Sequence, residues 1–236
     1  MDCHHLENKA RWVRRQTLEM IAGAGKGHIG GTDFLENSVR LDPLEDKWRA
    51  FGWDAVTING LRREGKIRAF GLSLRSPDDA LVAIRRLGAA CIQTNFNLLD
   101  QRAIQNGLLA LCEAQRVGVI VRTPLCFGFL TGAYDGSQAF GERDHRSRWS
   151  AQQRVRWADG TRTVAQMFSV SRGTPAQLAL RFCLSYPVVS TAIPGMLTVA
   201  HVDENTAASD LEPLAERERY AAEAVYHEHV FFGGRE

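Results

Sequence analysis

The chain reads as an α/β protein built on a parallel sheet, and three observations predict it. Strand-like and helix-like segments alternate from residue 66 to the C-terminal end, the order that places crossover helices between parallel strands. The strand segments are apolar almost throughout, as in Ala90-Cys91-Ile92 and Val119-Ile120-Val121. That pattern is expected of strands covered on both faces. Two helix segments also open on a hydroxyl followed by proline, Ser76-Pro77 and Thr174-Pro175. The hydroxyl caps the free amides of the first turn, and proline there gives up no hydrogen bond.

Element by element, residues 6–22 place Leu6, Ala10, Val13, Leu18 and Ile21 at helical spacing, with Arg11, Arg14 and Arg15 on a basic face. The glycine-rich run 22–32 ends that helix. A short helix over 44–51 and a short strand over 55–58 follow, closed by Asn59-Gly60. The regular part then predicts a strand at 66–72, a helix at 76–87, a strand at 90–94, a helix at 101–115 and a strand at 118–122. Residues 125–158, rich in charge and glycine, read as irregular. Helices are expected at 163–169 and 174–185, a strand at 188–193, and closing helices at 198–208 and 212–229.

Composition narrows the function classes. A net charge of +2 gives no electrostatic reason to expect nucleic acid as a partner. No apolar run approaches the roughly 20 residues that span a bilayer, and the charged N-terminus lacks the apolar stretch of a secretory signal. Cys3, Cys91, Cys112, Cys126 and Cys183 form no CxxC pair, so the sequence predicts reduced thiols in a cytoplasmic protein, with neither zinc nor disulfides.

Four segments, 64–73 (EGKIRAFGLS), 91–100 (CIQTNFNLLD), 118–134 (GVIVRTPLCFGFLTGAY) and 192–208 (AIPGMLTVAHVDENTAA), resemble strands five to eight of the aldo-keto reductases in order and spacing. DHRSRW (144–149) and TPAQLALRF (174–182) also resemble that family. The resemblance covers 61 to about 233. It implies a partial (β/α)8 TIM barrel of about four βα units, and with it a division into an N-terminal extension (1–60) and an NADP-dependent oxidoreductase half barrel (61–236). In such barrels function gathers at the C-terminal ends of the strands, where Ser73, Gln93, Arg122, Thr123, Pro194 and Gly195 fall.

The resemblance implies a cofactor role for each of these. Ser73 and Gln93 match a polar pair that grips the nicotinamide carboxamide, a group whose orientation needs both a donor and an acceptor. The family's asparagine after that serine is Leu74 here. Arg122 stands where many members stack a tyrosine on the ring, and a guanidinium plane can do the same. Thr123, Pro124, Leu125 and Gly128 would line the pyrophosphate channel. Thr198 and His201 match positions around the adenosine 2′-phosphate, and Glu204 and Asn205 match the adenine contacts. Met196 and Leu197 replace a cation that many members carry nearby, so the cofactor is NADP(H) with NAD(H) left open. Each position also has a plain structural reading: Ser73 ends a strand, Gln93 caps a barrel end, and Glu204 and Asn205 are a helix face.

The family's chemistry uses a tyrosine acid with a lysine, an aspartate and a histidine, all from the first half of its barrel. Residues 1–60 contain no tyrosine; Tyr134, Tyr186, Tyr220 and Tyr226 lie further on. No catalytic residue is therefore assigned. The expected substrate, where there is activity, is a small-molecule carbonyl or sugar. Open barrel edges would favour a homo-oligomer.

The first sixty residues resemble transketolase in two pieces, 6–33 and 37–60. AGAGKGHIGGT brings His28 to the position that meets substrate in that family, or His28 is simply a turn residue. The diphosphate- and Mg²⁺-binding segment is missing, so no thiamine diphosphate site is expected. Nor is Lys26 a phosphate-loop lysine, because Gly27 follows it where a Ser or Thr is required. Three readings stay open: an aldo-keto-reductase-like oxidoreductase, a non-catalytic dinucleotide-binding or oligomerisation module, and a transketolase-type remnant.

Overall fold

The computed structural model describes residue 65 and residues 67–142, 144–168 and 173–232. All lie in the unit Val56–Glu236. The expected helices at 6–22 and 44–51, the strand at 55–58 and His28 fall outside the described residues.

The sheet has four strands in the order β1-β2-β3-β4, every neighbouring pair parallel. They are β1 (Gly71–Ser73), β2 (Cys91–Asn95), β3 (Gly118–Arg122) and β4 (Val189–Ile193). The sequence-expected strand at 66–72 is shorter and later than read. Hydrogen bonding begins where β2 can answer it: Ala90 N–H donates to Phe70 O, and Gly71 then pairs with Cys91. Gly71 must stay glycine there, because a Cβ would sit 2.8 Å from Cys91 O.

Helix α1 (Pro77–Val82) starts on Ser76, whose side chain accepts from Asp78 N–H, and runs on into a π-helical turn, Ala83–Leu87. The helix expected over 101–115 is broken into α2 (Arg102–Gln105) and α3 (Leu108–Gln115). Gly107 lies between them at φ 77°, and the Asn106 side chain recaps α3 by accepting from Leu108 N–H at 3.0 Å. A left-handed residue cannot continue a right-handed helix.

The largest departure lies in 125–158, read as irregular. It holds a 3₁₀ turn at Cys126–Thr131, another at His145–Arg148, and the long helix α4 (Ala151–Met167), capped by Ser150. The buried stripe of α4 consists of Gln153, Trp157, Ala158, Gly160, Thr161 and Val164. Small and polar residues fill most of it, so its helical period carries little apolar signal. Helix α5 (Pro175–Leu184) has the expected Thr174 cap, closed into a capping box by Gln177. Helices α6 (Val199–Thr206) and α7 (Glu216–Glu228) finish the fold.

The helices cover one face of the sheet. α1 packs on β2, α3 on β3 and α5 on β4. Burial alternates along β2 and β3: Ile92, Thr94, Val119 and Val121 are buried, while Cys91, Gln93, Asn95, Gly118, Ile120 and Arg122 are half-buried. The strands were expected to be covered on both faces; among the described residues, helices cover one of them. The apolar residue Ile120 points to the side these helices leave open, so composition alone does not reveal it.

Two aromatic clusters hold the helices. Phe96, Phe182 and Tyr186 meet at centroid distances of 5.2 to 5.4 Å behind the sheet. Trp157 gathers Phe127, Phe129, Trp149 and Phe232 around α4. Buried polar side chains tie the chain's end to this core. Gln101 Nε2 donates to Leu98 O and Ala222 O, and Gln153 Nε2 donates to Phe231 O at 2.7 Å.

Gly160 shows how tight the packing is. Its Cβ position lies 2.7 Å from the Phe231 ring and 3.0 Å from Leu99. In an open helix Gly→Ala stabilises by about 0.5–1 kcal/mol. In α4 Gly160→Ala is expected to destabilise by about 1–3 kcal/mol through overpacking, measured by denaturant unfolding.

Candidate active site

The parallel ladder delivers the strand ends to one rim. Ser73 is in register with Gln93, Gln93 with Ile120, Asn95 with Arg122, and Arg122 with Ile193. Register partners in a sheet point to the same side, so Ser73, Gln93 and Arg122 share the open face. Pro194 and Gly195 follow directly from β4.

At this rim the Ser73 hydroxyl is buried and has no hydrogen-bond partner among the described residues. Leaving such a group unpaired costs about 1–3 kcal/mol. Folded chains retain a cost of that kind where a ligand or water completes the bond. Arg122 is held across the end of β1, its Nη2 donating to Leu74 O at 3.0 Å.

The loop after β3 is the most constrained backbone in the site. Thr123, Cys126 and Phe127 take positive φ of 54°, 46° and 58°, and Gly128 lies at φ 93°. Left-handed conformations cost a residue with a Cβ about 1–2 kcal/mol each, so the loop needs fixing from outside. Asn97 Nδ2 donates to Thr123 O at 2.9 Å, Thr123 Oγ1 donates to Arg122 O at 2.7 Å, and Thr131 Oγ1 donates to Gly128 O at 2.7 Å. Leu125 takes a turn conformation at φ -95° and the next residues are left-handed, and turns of successive backbone N–H groups can form anion-binding concavities. Pro124 and Leu125 are buried beneath it.

Arg146 clamps this loop. Its guanidinium donates to both carboxylate oxygens of Asp144 and, at 2.7 Å, to Tyr134 Oη. It also lies 4.3 Å from the Phe140 ring centroid. Tyr134 in turn covers Gly128, where a Cβ would come within 3.0 Å of its ring. Asn97 and the clamp of Tyr134 and Arg146 are supports that the sequence reading did not assign. Their contacts span 12 to 26 residues of chain, and no local pattern signals them.

The remaining assigned residues form a second group, before and along α6. Gly195 is exposed, with open space around it. Thr198 is exposed and caps α6 by accepting from His201 N–H at 3.2 Å, while His201 Nδ1 accepts from Leu197 N–H at 3.3 Å. Glu204 is half-buried, its carbonyl held by Gln177 Nε2 at 3.0 Å, and Asn205 is buried. The register pair of Arg122 and Ile193 joins this group to the first.

The tyrosines are engaged elsewhere. Tyr186 Oη donates to Glu223, Tyr220 Oη to Glu216, and Tyr134 Oη accepts from Arg146. Burial raises the phenols of Tyr186 and Tyr226, and the Glu216 carboxylate raises that of Tyr220. Burial likewise pushes the Cys112 thiol up to about 11 and raises those of Cys91, Cys126 and Cys183. These four cysteines are free. The described residues contain no cluster of side chains suited to a metal ion.

A cleft of about 280 Å³ opens at the opposite pole, lined by Cys112, Glu113, Arg116, Gly118 and Pro187 among others. It lies where β3 and β4 begin, away from the rim on which the assigned residues converge.

The fold and rim define a class. Residues 46–226 match the aldo/keto reductase family, and the chain belongs to it. The match takes in 46–60, residues that the sequence reading grouped with the N-terminal extension. An aldo-keto reductase of Schizosaccharomyces pombe, yakc [NADP(+)], is 28% identical over 60% of this chain and 43% of its own length. An aldo-keto reductase of Babesia bovis is 28% identical over 72% of this chain and 61% of its own. The chain spans about half the length of the curated relatives it matches. The apo form of aldo-keto reductase AKR11C1 from Bacillus halodurans superposes with a TM-score of 0.56 at 21% identity, covering 91% of this chain and 68% of that one, a likeness of fold.

The clamp has a pH signature. Hydrogen bonds from Arg146 hold the Asp144 carboxyl at about 2, below the ordinary value of about 3.9. A depressed carboxylate stabilises the fold above its unfolded pKa, and that contribution is lost as pH falls through the folded one. Wild type is therefore expected to lose stability between about pH 4 and pH 2 relative to Asp144→Asn, followed by thermal unfolding across that range.

Proposed function

We propose that this chain is an aldo-keto-reductase-like oxidoreductase module that holds NADP(H) along the rim and lacks the acid cluster for carbonyl reduction on its own. The observation that carries the cofactor half is the buried, unpartnered Ser73 hydroxyl in register with Gln93. One such hydroxyl beside one amide side chain suits a carboxamide, which needs an acceptor for its NH₂ and a donor for its oxygen. Thr123, Pro124, Leu125 and Gly128 would hold the pyrophosphate in the concavity after β3. Gly195, Thr198, His201, Glu204 and Asn205 would hold the adenosine end. Arg122 would lie against the nicotinamide. When bound, the cofactor supplies a hydride to a carbonyl carbon. NAD(H) stays open as the alternative, because Met196 and Leu197 bring no cation to the 2′-phosphate.

In this reading the four described strands correspond to strands five to eight of the family's barrel, and 61–236 is the oxidoreductase half. No tyrosine occurs in residues 1–60 to act as the acid. Removing a general acid alone costs ~10²–10⁴-fold in rate, so the isolated chain is expected to turn over no carbonyl or sugar at an appreciable rate. The alternative is a non-catalytic dinucleotide-binding or oligomerisation module, supported by the same absence of a tyrosine from residues 1–60. The transketolase-type reading rests on 6–33 and 37–60 alone, and no thiamine diphosphate binding is expected. No helix among the described residues is long and apolar enough to cross a membrane. With a net charge of +2, the partners in this reading are small molecules in a cytoplasmic setting, with neither membrane nor nucleic acid.

Fluorescence titration with NADPH, with NADH as control, tests this reading. Saturable binding is expected, weakened about tenfold by Ser73→Ala, the worth of one hydrogen bond at the strong end of the neutral range. Absence of saturable binding, or binding indifferent to Ser73→Ala, would overturn the assignment of the rim as the cofactor site.

A further inference from the structure

Asn97 is a buried amide just past β2, 2% exposed, and it ties separate stretches of chain together. Its backbone exchanges hydrogen bonds with Asp100: its N–H donates at 3.1 Å, and its carbonyl accepts at 3.0 Å. Its side-chain Oδ1 accepts from Leu99 N–H at 2.9 Å, which fixes the amide in one orientation. Nδ2 is thereby aimed at Thr123 O, to which it donates at 2.9 Å. The last strand pair here is Asn95 with Arg122, and Phe96 N–H then donates to Arg122 O at 3.4 Å. The Asn97 side chain therefore supplies one more rung of the β2–β3 ladder, beyond the end of both strands.

The loop after β3 hangs from that rung. Thr123 O also accepts from Cys126 N–H at 3.0 Å and so closes the first turn of the loop. Leu125 O accepts from Gly128 N–H at 2.9 Å and from Leu130 N–H at 3.1 Å and closes the second. Thr123, Cys126 and Phe127 all lie at positive φ, where a Cβ crowds its own backbone. Backbone of this kind persists only where its surroundings over-determine it. Thr131, Tyr134 and Arg146 act at Phe127 and Gly128, the far end of the loop. Asn97 acts at the near end, on the carbonyl from which the first turn starts.

We propose that Asn97 is a positioning residue for cofactor binding: it holds the loop after β3 in its receiving shape before a pyrophosphate arrives. This rests on the cofactor reading of the rim and adds to it a residue that touches no cofactor. Without the anchor the loop opens around Thr123, and binding must first close it. Apparent affinity then falls in proportion to the closed fraction. The role needs a donor on one side of the group and an acceptor on the other, which an amide provides and a carboxylate does not.

The loop carries its own reporter. Cys126 lies fully buried within it, and Cys112 lies fully buried in α3, away from the rim. Alkylation of a buried thiol requires local opening, so Cys126 reports the loop and Cys112 the fold as a whole. Asn97→Asp and Asn97→Ser both keep an oxygen for Leu99 N–H and lose the donor to Thr123 O. The serine variant brings no charge into the core, so it stays readable if a buried carboxylate unfolds the aspartate variant. Each is compared with the wild-type chain by mass-spectrometric alkylation of the native protein and by NADPH titration. Cys126 is expected to react at least fivefold faster and Cys112 at the wild-type rate. NADPH is expected to bind about fivefold more weakly, the worth of one hydrogen bond. Unchanged alkylation at Cys126 would overturn the proposal. Equal acceleration at Cys126 and Cys112 would also overturn it, because Asn97 would then serve general stability. Faster alkylation at Cys126 with NADPH affinity unchanged would overturn it too, by separating the loop's shape from binding. All three outcomes leave the cofactor reading intact, whereas a wild-type chain that binds no NADPH would overturn that reading and the role of Asn97 with it.

Discussion

Parallel pairing of four strands is the constraint on which everything else depends. Because all four run the same way, their C-terminal ends must share one rim, and whatever follows each strand is brought to it. Serine, glutamine and arginine far apart in sequence become neighbours through ladder register. Parallel strands also need a crossover between each pair. That requirement accounts for the helices, and right-handed crossovers put successive helices on the same face. The helices bury Ile92, Val119 and Val121 and leave the opposite side of the same strands half-covered. Rim and open face are thus two consequences of one topology.

The site is a balance between strain and support. The loop after β3 places three residues with side chains in left-handed conformations, at a cost of about 1–2 kcal/mol each. Its supports come from β2's following turn, through Asn97, and from the segment before α4, through Arg146 and Tyr134. Asn97 is itself fixed, since its Oδ1 accepts from Leu99 N–H and its backbone bridges Asp100. The shape of the rim therefore depends on residues that touch no rim position in sequence. The Ser73 hydroxyl is the counterpart: a polar group left unsatisfied in a fold that pairs most of its buried polar atoms.

An α/β sheet with one face left open by its helices holds polar and apolar side chains in an environment suited to neither bulk water nor a packed core. The proposed cofactor contacts lie on this same sheet of an aldo/keto reductase family member. In the proposed reading a cofactor would cover the rim.

Much of this was legible in the sequence. Strand and helix alternation, the caps at Ser76 and Thr174, and the polar strand ends are local signals, and local backbone chemistry realises them. β3 lies where it was read, at Gly118–Arg122. The family resemblance likewise rests on linear motifs, and the assigned residues from 73 to 128 and from 195 to 205 fall on the rim and along α6. Other features were decided by tertiary structure. Helix α4 was hidden because its buried stripe is small and polar, so its order comes from the aromatic cluster around Trp157. The break at Gly107 and the late start of β1 depend on what neighbouring segments offer for pairing. Asn97, Tyr134 and Arg146 became visible as supports only when the chain had folded. Which face the described helices cover was settled by how they pack. A sequence records which residues can be buried, and only packing determines what buries them.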